Sequence, residues 1–173
     1  MNTSFFLIFF LTWNLHAKVI EGMEIPDSLD CAQVDLPLKA SGVRTVTFFK
    51  VKIFTLALYA KSSDFKSYPQ CFELTYFRDF SNQQVDDAWD FQYKESNTFQ
   101  YPEINTDLKT LQNLLTEIKD QRKERFVILP GKTQVFENGV LKGEILGDNF
   151  QKTFISLWTS EKGPVDSFKQ ELK

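Results

Sequence analysis

The chain has 173 residues, of which 42% are hydrophobic and 15% aromatic, and this length and apolar content suit one domain with a substantial core. Its formal net charge is −3, with acidic and basic residues mixed along the chain. A nucleic-acid-binding protein needs a basic stripe, so we predict no nucleic-acid partner.

The first segment has the organisation of a secretory signal peptide. Residues 5–13 (FFLIFFLTW) are apolar and uncharged, and the small residue Ala17 precedes the polar Lys18. The apolar run is too short to span a bilayer well, which favours cleavage after Ala17 over a membrane anchor. We therefore predict a signal peptide at 1–17 and one periplasmic or secreted domain at 18–173, with no transmembrane segment after cleavage. A buried N-terminal helix is the alternative.

Histidine is confined to the predicted signal peptide. The single histidine is His16, so the mature domain would lack histidine-dependent nucleophiles and most zinc or iron sites. Asp86 and Asp90 are spaced to share a helix face and could hold a hard cation weakly, but a solvated helix face is the preferred interpretation. We predict no metal and no cofactor.

The next segments predict strands. Residues 18–35 are a mixed lead-in, and residues 34–39 alternate weakly as a short strand. Residues 43–60 predict one long strand or two strands joined by a bend. The inward-facing set of side chains changes parity near Phe48 and Phe49, as it does at a β-bulge.

Two cysteines, Cys31 and Cys71, lie too far apart for a CxxC motif. In an oxidising compartment they could form a disulfide, which would stabilise the fold by about 4 kcal/mol in the chain-entropy model. They could equally be two independent buried side chains. The sequence leaves both alternatives open.

A strand at 71–80 is followed by the first predicted helix, at 82–93. Ser81 and Gln84 have the spacing of a capping box at the start of this helix. A second helix is predicted to begin at Asn105 or Thr106, because five apolar residues then follow at helical spacing: Leu108, Leu111, Leu114, Leu115 and Ile118.

The basic run at 119–125 (KDQRKER) is interpreted as a solvated helix end. A strand at 126–129 and a hairpin around Asn138-Gly139 follow, and this dipeptide is typical of a type I′ turn. A third helix is predicted to start at Asp148 or Asn149 and to reach Trp158, and a short helix at 166–172 closes the chain. The order of these elements predicts an α+β fold, in which helices cover an antiparallel sheet.

Arg44 stands at the start of the apolar strand, where an arginine is commonly a surface residue. Three segments give it another meaning: GVRTVTFFKVKIFTLALYAK, ELTYFRDFSNQQVDDAW and LPGKTQVFENGVLKGEILGDNFQKTFISLWTSEKGPVDSFKQEL. Together they resemble the chalcone isomerase-like family, most closely its exported bacterial branch, from about residue 34 to the C-terminus.

The resemblance implies an open-faced antiparallel sheet with helices layered over one side and a ligand cleft between them. It places Arg44 in that cleft. The tyrosine of the isomerases falls on Val85, and their strand threonine falls on Phe54 or Thr55. A hydroxyl residue of the last helix corresponds to Thr153. The implied ligand-binding residues are therefore Arg44, Thr55 and Thr153, and no catalytic residue is assigned.

The leading hypothesis is a monomeric, non-catalytic binder of a small amphipathic molecule, such as a fatty acid or similar carboxylate, that is anchored by Arg44. The alternative is an isomerase that acts on a phenolic enone by carbonyl polarisation and orientation. Loss of the tyrosine at Val85 argues against that activity without excluding an enzyme. A third possibility is an interaction module whose cleft is filled by phenylalanine side chains.

Overall fold

The computed structural model describes residues 17–46, 49–62, 66–96, 101–160 and 163–165. Residues 1–16, with nearly all of the predicted signal peptide, lie outside the described residues. So does the predicted helix at 166–172. The signal peptide, the export of the protein and this last helix therefore stay predictions.

Antiparallel strands form the framework of the molecule. Within the described residues, seven of them pair in chain order as one sheet, β3 to β9, and β1 and β2 form a separate hairpin. The strands are β1 Ala17–Ile20, β2 Met23–Pro26, β3 Ser28–Cys31, β4 Val34–Val46, β5 Val51–Ala60, β6 Gln70–Tyr76, β7 Lys123–Leu129, β8 Lys132–Glu137 and β9 Val140–Leu146. The prediction of an antiparallel sheet is confirmed, whereas the strands in the lead-in segment were missed.

The segment predicted as one long strand, or two strands joined by a bend, contains the end of β4 and all of β5, which pair as an antiparallel hairpin. β4 runs through Gly42 without interruption, and Val46 pairs with Val51 where the chain reverses direction. Lys50 adopts a positive φ of 51° in this turn. The parity change near Phe49 therefore marks a reversal of the chain. The register irregularities of this strand pair lie elsewhere, where Lys39 of β4 and Ile53 of β5, opposite Arg44 and Thr45, have no paired residue.

Three helices in the described part of the chain are α1 Asn82–Ser96, α2 Ile104–Leu114 and α3 Asp148–Thr159. The capping box of α1 is confirmed, because the Ser81 amide donates to Gln84 Oε1 over 2.9 Å. The predicted caps of the other two helices are wrong by one to three residues. Glu103 precedes α2 and Gly147 precedes α3, and neither makes a side-chain cap hydrogen bond.

The hairpin between β8 and β9 turns as predicted. Asn138 and Gly139 have φ values of 48° and 82°, and the positive φ at both positions is the condition for a type I′ turn. No helix in the described ranges has the length and apolar character needed to cross a bilayer.

Each face of the sheet carries a hydrophobic core. The larger core joins the sheet to the three helices and contains Phe72, Phe126, Phe150 and Phe154, all fully buried. The smaller core lies on the opposite face, where Ile25 of the β1–β2 hairpin packs with strand residues. Cys31 and Cys71 form a buried disulfide in this smaller core, with Cα atoms 6.3 Å apart.

Candidate ligand cavity between the sheet and the first helix

A cavity of about 350 Å³ lies between the sheet and α1, at the small end of the size range of small-molecule sites. Most of its lining is apolar or aromatic. The lining residues are Arg44, Val46, Ile53, Phe54, Leu74, Tyr76, Phe80, Gln84, Val85, Ala88, Trp89, Phe91, Gln92, Ile118, Trp158 and Pro164.

Strand register builds the floor of this cavity. Arg44 of β4 pairs with Phe54 of β5, and Phe54 pairs with Tyr76 of β6. Paired residues on neighbouring strands point to the same face of a sheet, which here is the face that α1 and α3 cover. Arg44 and Tyr76 are two strands apart, roughly 10 Å between their backbones. The floor therefore runs from a guanidinium, across an aromatic ring, to a phenol.

Arg44 is half-buried at one end of the floor. Its Nη1 donates to the carbonyl oxygen of Pro164 over 2.7 Å. No carboxylate of the described residues lies within salt-bridge distance of the guanidinium, and its other N–H groups have no partner among those residues. Since a guanidinium offers five donors, the Arg44 end of the cavity can accept an anion.

Aromatic rings from three elements form the inner wall. Trp89 of α1 stacks edge to face on Trp158 of α3, with ring centroids 5.9 Å apart, and Trp158 packs in the same way on Phe54 over 6.1 Å. Such pairs hold ring positions more firmly than area burial alone. The inner side of the wall is therefore closely packed, and the outer side is formed by exposed or half-buried residues of α1 and the β4–β5 hairpin.

A buried polar network lies behind the Tyr76 end of the floor. The Tyr76 hydroxyl donates to Glu124 Oε2 over 2.7 Å, and Arg122 Nη2 lies 3.1 Å from the other carboxylate oxygen. Arg122 also donates to the carbonyls of Thr116 and Glu117, and its Nη2 lies 3.4 Å from Glu137. The basic run was predicted to be a solvated helix end, but Arg122 is buried and Glu124 is a strand residue. That prediction was wrong.

Burial controls the protonation of this network. It raises the pKa of Glu124 to about 7, although the Tyr76 hydrogen bond and the Arg122 charge oppose the increase. Burial, followed by the nearby Glu124 charge, also raises the pKa of Tyr76 well above its usual value. The phenol on the cavity floor is therefore protonated at neutral pH and held as a donor to Glu124.

The two threonines that the resemblance implied do not join Arg44. Thr55 is buried on the opposite face of the sheet, where its hydroxyl lies 3.5 Å from the Thr75 carbonyl. Phe54, the other residue considered for that position, lines the cavity. Thr153 is buried in α3 outside the cavity lining, and its hydroxyl has no hydrogen-bond partner in the described part of the chain. Val85, at the position implied for the isomerase tyrosine, does line the cavity.

The carboxylates of α1 make an interhelical contact. Gln112 of α2 donates to Asp90 Oδ1 over 2.9 Å and to the Asp86 carbonyl over 3.2 Å. No group of three or more His, Cys, Asp or Glu side chains within the described ranges is arranged to hold a metal ion. Asp90 therefore serves helix packing in this structure.

The sequence profile of the chalcone isomerase-like family matches residues 17–172. The chain belongs to the chalcone isomerase-like family. Its fold is similar to the crystal structure of an Arabidopsis thaliana fatty-acid binding protein, with a TM-score of 0.75 over 91% of this chain and 95% of that one, at 13% identity. Comparison with curated protein sequences gives no significant match. In this chalcone isomerase-like domain, the curved antiparallel sheet with helices on one side is the family's fold.

Proposed function

We propose that this protein binds a fatty acid or a similar amphipathic carboxylate in the cavity between the sheet and α1, without converting it chemically. The observation that carries the proposal is the position of Arg44, a half-buried cation without a carboxylate partner among the described residues, at one end of an apolar cavity. The fatty-acid binding described for the Arabidopsis relative supports the same ligand class.

The chemistry of the lining fits this ligand. A carboxylate can accept two parallel hydrogen bonds from a guanidinium, which are stronger than neutral hydrogen bonds. The acyl chain would then lie over Phe54 towards Leu74 and Ile118, and each buried methylene would contribute roughly 0.8 kcal/mol. Arg44 would thus set the orientation of the ligand, and the aromatic wall would provide most of the affinity.

The polar groups that line the cavity support binding of the ligand without chemical conversion, because none of them suits acid–base or nucleophilic catalysis. Besides Arg44, these belong to Tyr76, Gln84, Gln92, Trp89 and Trp158. The Tyr76 phenol donates to Glu124, an indole N–H can only donate a hydrogen bond, and glutamine side chains are neither nucleophiles nor bases at neutral pH. Val85 stands where the resemblance puts the tyrosine of the isomerases. These groups suit recognition of a ligand better than acid–base chemistry.

Removal of the Arg44 guanidinium tests the proposal. We expect Arg44→Ala to weaken dodecanoate binding more than tenfold, because the carboxylate loses its charge-assisted partner. Binding of methyl dodecanoate, which has no charge, should change far less. Isothermal titration calorimetry measures both affinities, and circular dichroism verifies the fold.

Arg78→Ala is the matched control, because Arg78 is an exposed arginine outside the cavity lining. It should bind dodecanoate as the wild type does. Equal dodecanoate affinity in the wild type and Arg44→Ala would contradict the proposal, as would an equal loss in Arg78→Ala.

A further inference from the structure

The mouth of the cavity lies between two elements that expose apolar side chains. Of the lining residues on α1, Gln84, Ala88 and Phe91 are exposed, and opposite them Val46 and Ile53 of the β4–β5 hairpin are half-buried. The deep lining residues, in contrast, are buried. The cavity therefore opens to solvent between α1 and the end of this hairpin.

Phe91 at this mouth and Phe49 in the adjoining β4–β5 turn have most of their surface in solvent. Phe91 on α1 is 58% exposed, and Phe49, in the turn that follows Val46, is 86% exposed. Phenylalanine is normally among the most buried residue types. Large exposed apolar side chains that surround the opening of a binding cavity are typical of a surface that docks on another apolar phase.

The β4–β5 hairpin carries more basic than acidic residues. Between Val34 and Ala60 it has one acidic residue, Asp35, and four basic residues, Lys39, Arg44, Lys50 and Lys52. Asp35 and Lys39 lie in the half of β4 remote from the turn, so Arg44, Lys50 and Lys52 are the hairpin's cations near the mouth. Lys50 is exposed in the turn beside Phe49, and Lys52 is paired with Glu21 of the β1–β2 hairpin.

α1 carries four carboxylates, Asp86, Asp87, Asp90 and Glu95, and one lysine, Lys94. Exposed Asp87 and Glu95 lie one turn before and after Phe91, and exposed Lys94 lies between Phe91 and Glu95. Asp87 Oδ1 accepts a hydrogen bond from Gln83. The exposed positive charge of the hairpin beside the mouth is therefore Lys50, and Ala88 and Phe91 of α1 contribute apolar surface.

We propose that this mouth docks on a lipid bilayer that contains anionic lipid, and that the ligand passes directly between the bilayer and the cavity. Phe49 and Phe91 would enter the boundary between headgroups and acyl chains, and Lys50 would lie against anionic headgroups. Aromatic side chains next to lysines are the pattern of interfacial membrane binding. The ligand exchange rests on the proposed function, since a bilayer is where fatty acids accumulate.

Vesicle cosedimentation tests the docking. We expect the wild type to bind phosphatidylcholine vesicles that contain phosphatidylglycerol, and to bind pure phosphatidylcholine vesicles much less. The double variant Phe49→Ser with Lys50→Glu should lose at least fivefold in the bound fraction, because one apolar anchor is removed and one favourable charge is reversed. Neither residue lines the cavity.

The matched control makes the same two changes elsewhere. Leu146→Ser with Lys152→Glu removes an exposed leucine of β9, 70% accessible, and reverses an exposed lysine of α3. It should bind vesicles like the wild type. The inference is overturned if the wild type does not bind anionic vesicles, which is the result expected if the mouth docks on a protein. It is also overturned if the two double variants bind vesicles equally.

A transfer assay separates this inference from the proposed function. The rate at which a fluorescent fatty acid moves from vesicles to the wild type should rise with vesicle concentration, and should not rise for Phe49→Ser with Lys50→Glu. Dodecanoate binding without vesicles should be equal in both proteins. A wild type that binds dodecanoate but not vesicles overturns the docking alone. A wild type that binds vesicles through Phe49 but does not bind dodecanoate overturns the proposed function alone.

Discussion

Glu124 is fully buried behind the cavity floor, beside Tyr76 and Arg122. A carboxylate in such surroundings loses its hydration, and this cost exceeds what the two partners restore, so its pKa rises. Arg122 has a second carboxylate neighbour, Glu137. Protonation of Glu124 therefore does not leave the buried guanidinium without a counter-charge.

This environment predicts a pH-dependent stability. The pKa of Glu124 is about 7 in the folded state, and its ordinary pKa is 4.5. Between pH 4.5 and pH 7, the native state therefore binds more protons than the unfolded state. The free energy of unfolding should therefore fall as pH rises through this window. The contribution of Glu124 is up to ~3 kcal/mol, and urea unfolding at pH 5, 6 and 7 measures it.

Glu124→Gln is the control, because an amide oxygen can still accept the Tyr76 hydrogen bond and does not titrate. Its unfolding free energy should fall less between pH 5 and pH 7 than that of the wild type. Identical pH profiles would show that Glu124 keeps an ordinary pKa in the folded protein.

The residues of the site differ in how far the sequence could reveal them. The position of Arg44 in the cavity was predictable from the family resemblance of its Gly-Val-Arg motif, whereas its place at the start of an apolar strand alone favoured a surface residue. Arg122 and Glu124 were not predictable, because they belong to a charged run that in isolation favours solvent exposure. Only the pairing of β6 with β7 brings Glu124 close to Tyr76, and long-range pairing is not encoded in local composition.

At the level of elements, α1 depends on its capping box. Ser81 and Gln84 satisfy amide groups at the start of the helix, and the same helix provides Val85, Trp89 and Phe91 to the cavity. The segment 81–91 therefore both caps the start of α1 and provides one wall of the cavity.

Ser81→Ala should lower the free energy of unfolding by about 1 kcal/mol, since the side-chain acceptor at the N-terminus of the helix is lost. Chemical denaturation measures the change. Ser67→Ala is a suitable comparison, because this serine lies in a loop outside the helices. If Ser81→Ala unfolds at the wild-type denaturant concentration, the capping box does not stabilise α1.

Local signals also decided which elements were predicted correctly. The Asn138-Gly139 turn was found because these residue types favour positive φ. The β4–β5 turn lacks such a dipeptide, and Lys50 takes the positive φ instead. The sequence therefore predicted one long strand or two strands joined by a bend, and the reversal of the chain was missed. The short strands β1 to β3 were missed because they gain their order from packing on the smaller core.

For the whole molecule, the two faces of the sheet have different roles. The helix-covered face holds the cavity, and the opposite face is closed by the β1–β2 hairpin and the Cys31–Cys71 disulfide. The family fold was predictable from ordered motifs along the chain. The pairing of the cysteines was not, since only the folded chain brings their Cα atoms within bonding range.

The central claim is that the ligand of this domain is a carboxylate held by Arg44. A crystal structure of the protein with dodecanoate tests it most directly. We predict carboxylate oxygens within hydrogen-bonding distance of the Arg44 guanidinium, and an acyl chain between α1 and the sheet that passes over Phe54. A carboxylate bound elsewhere, or a chain that lies outside this cavity, would contradict the account.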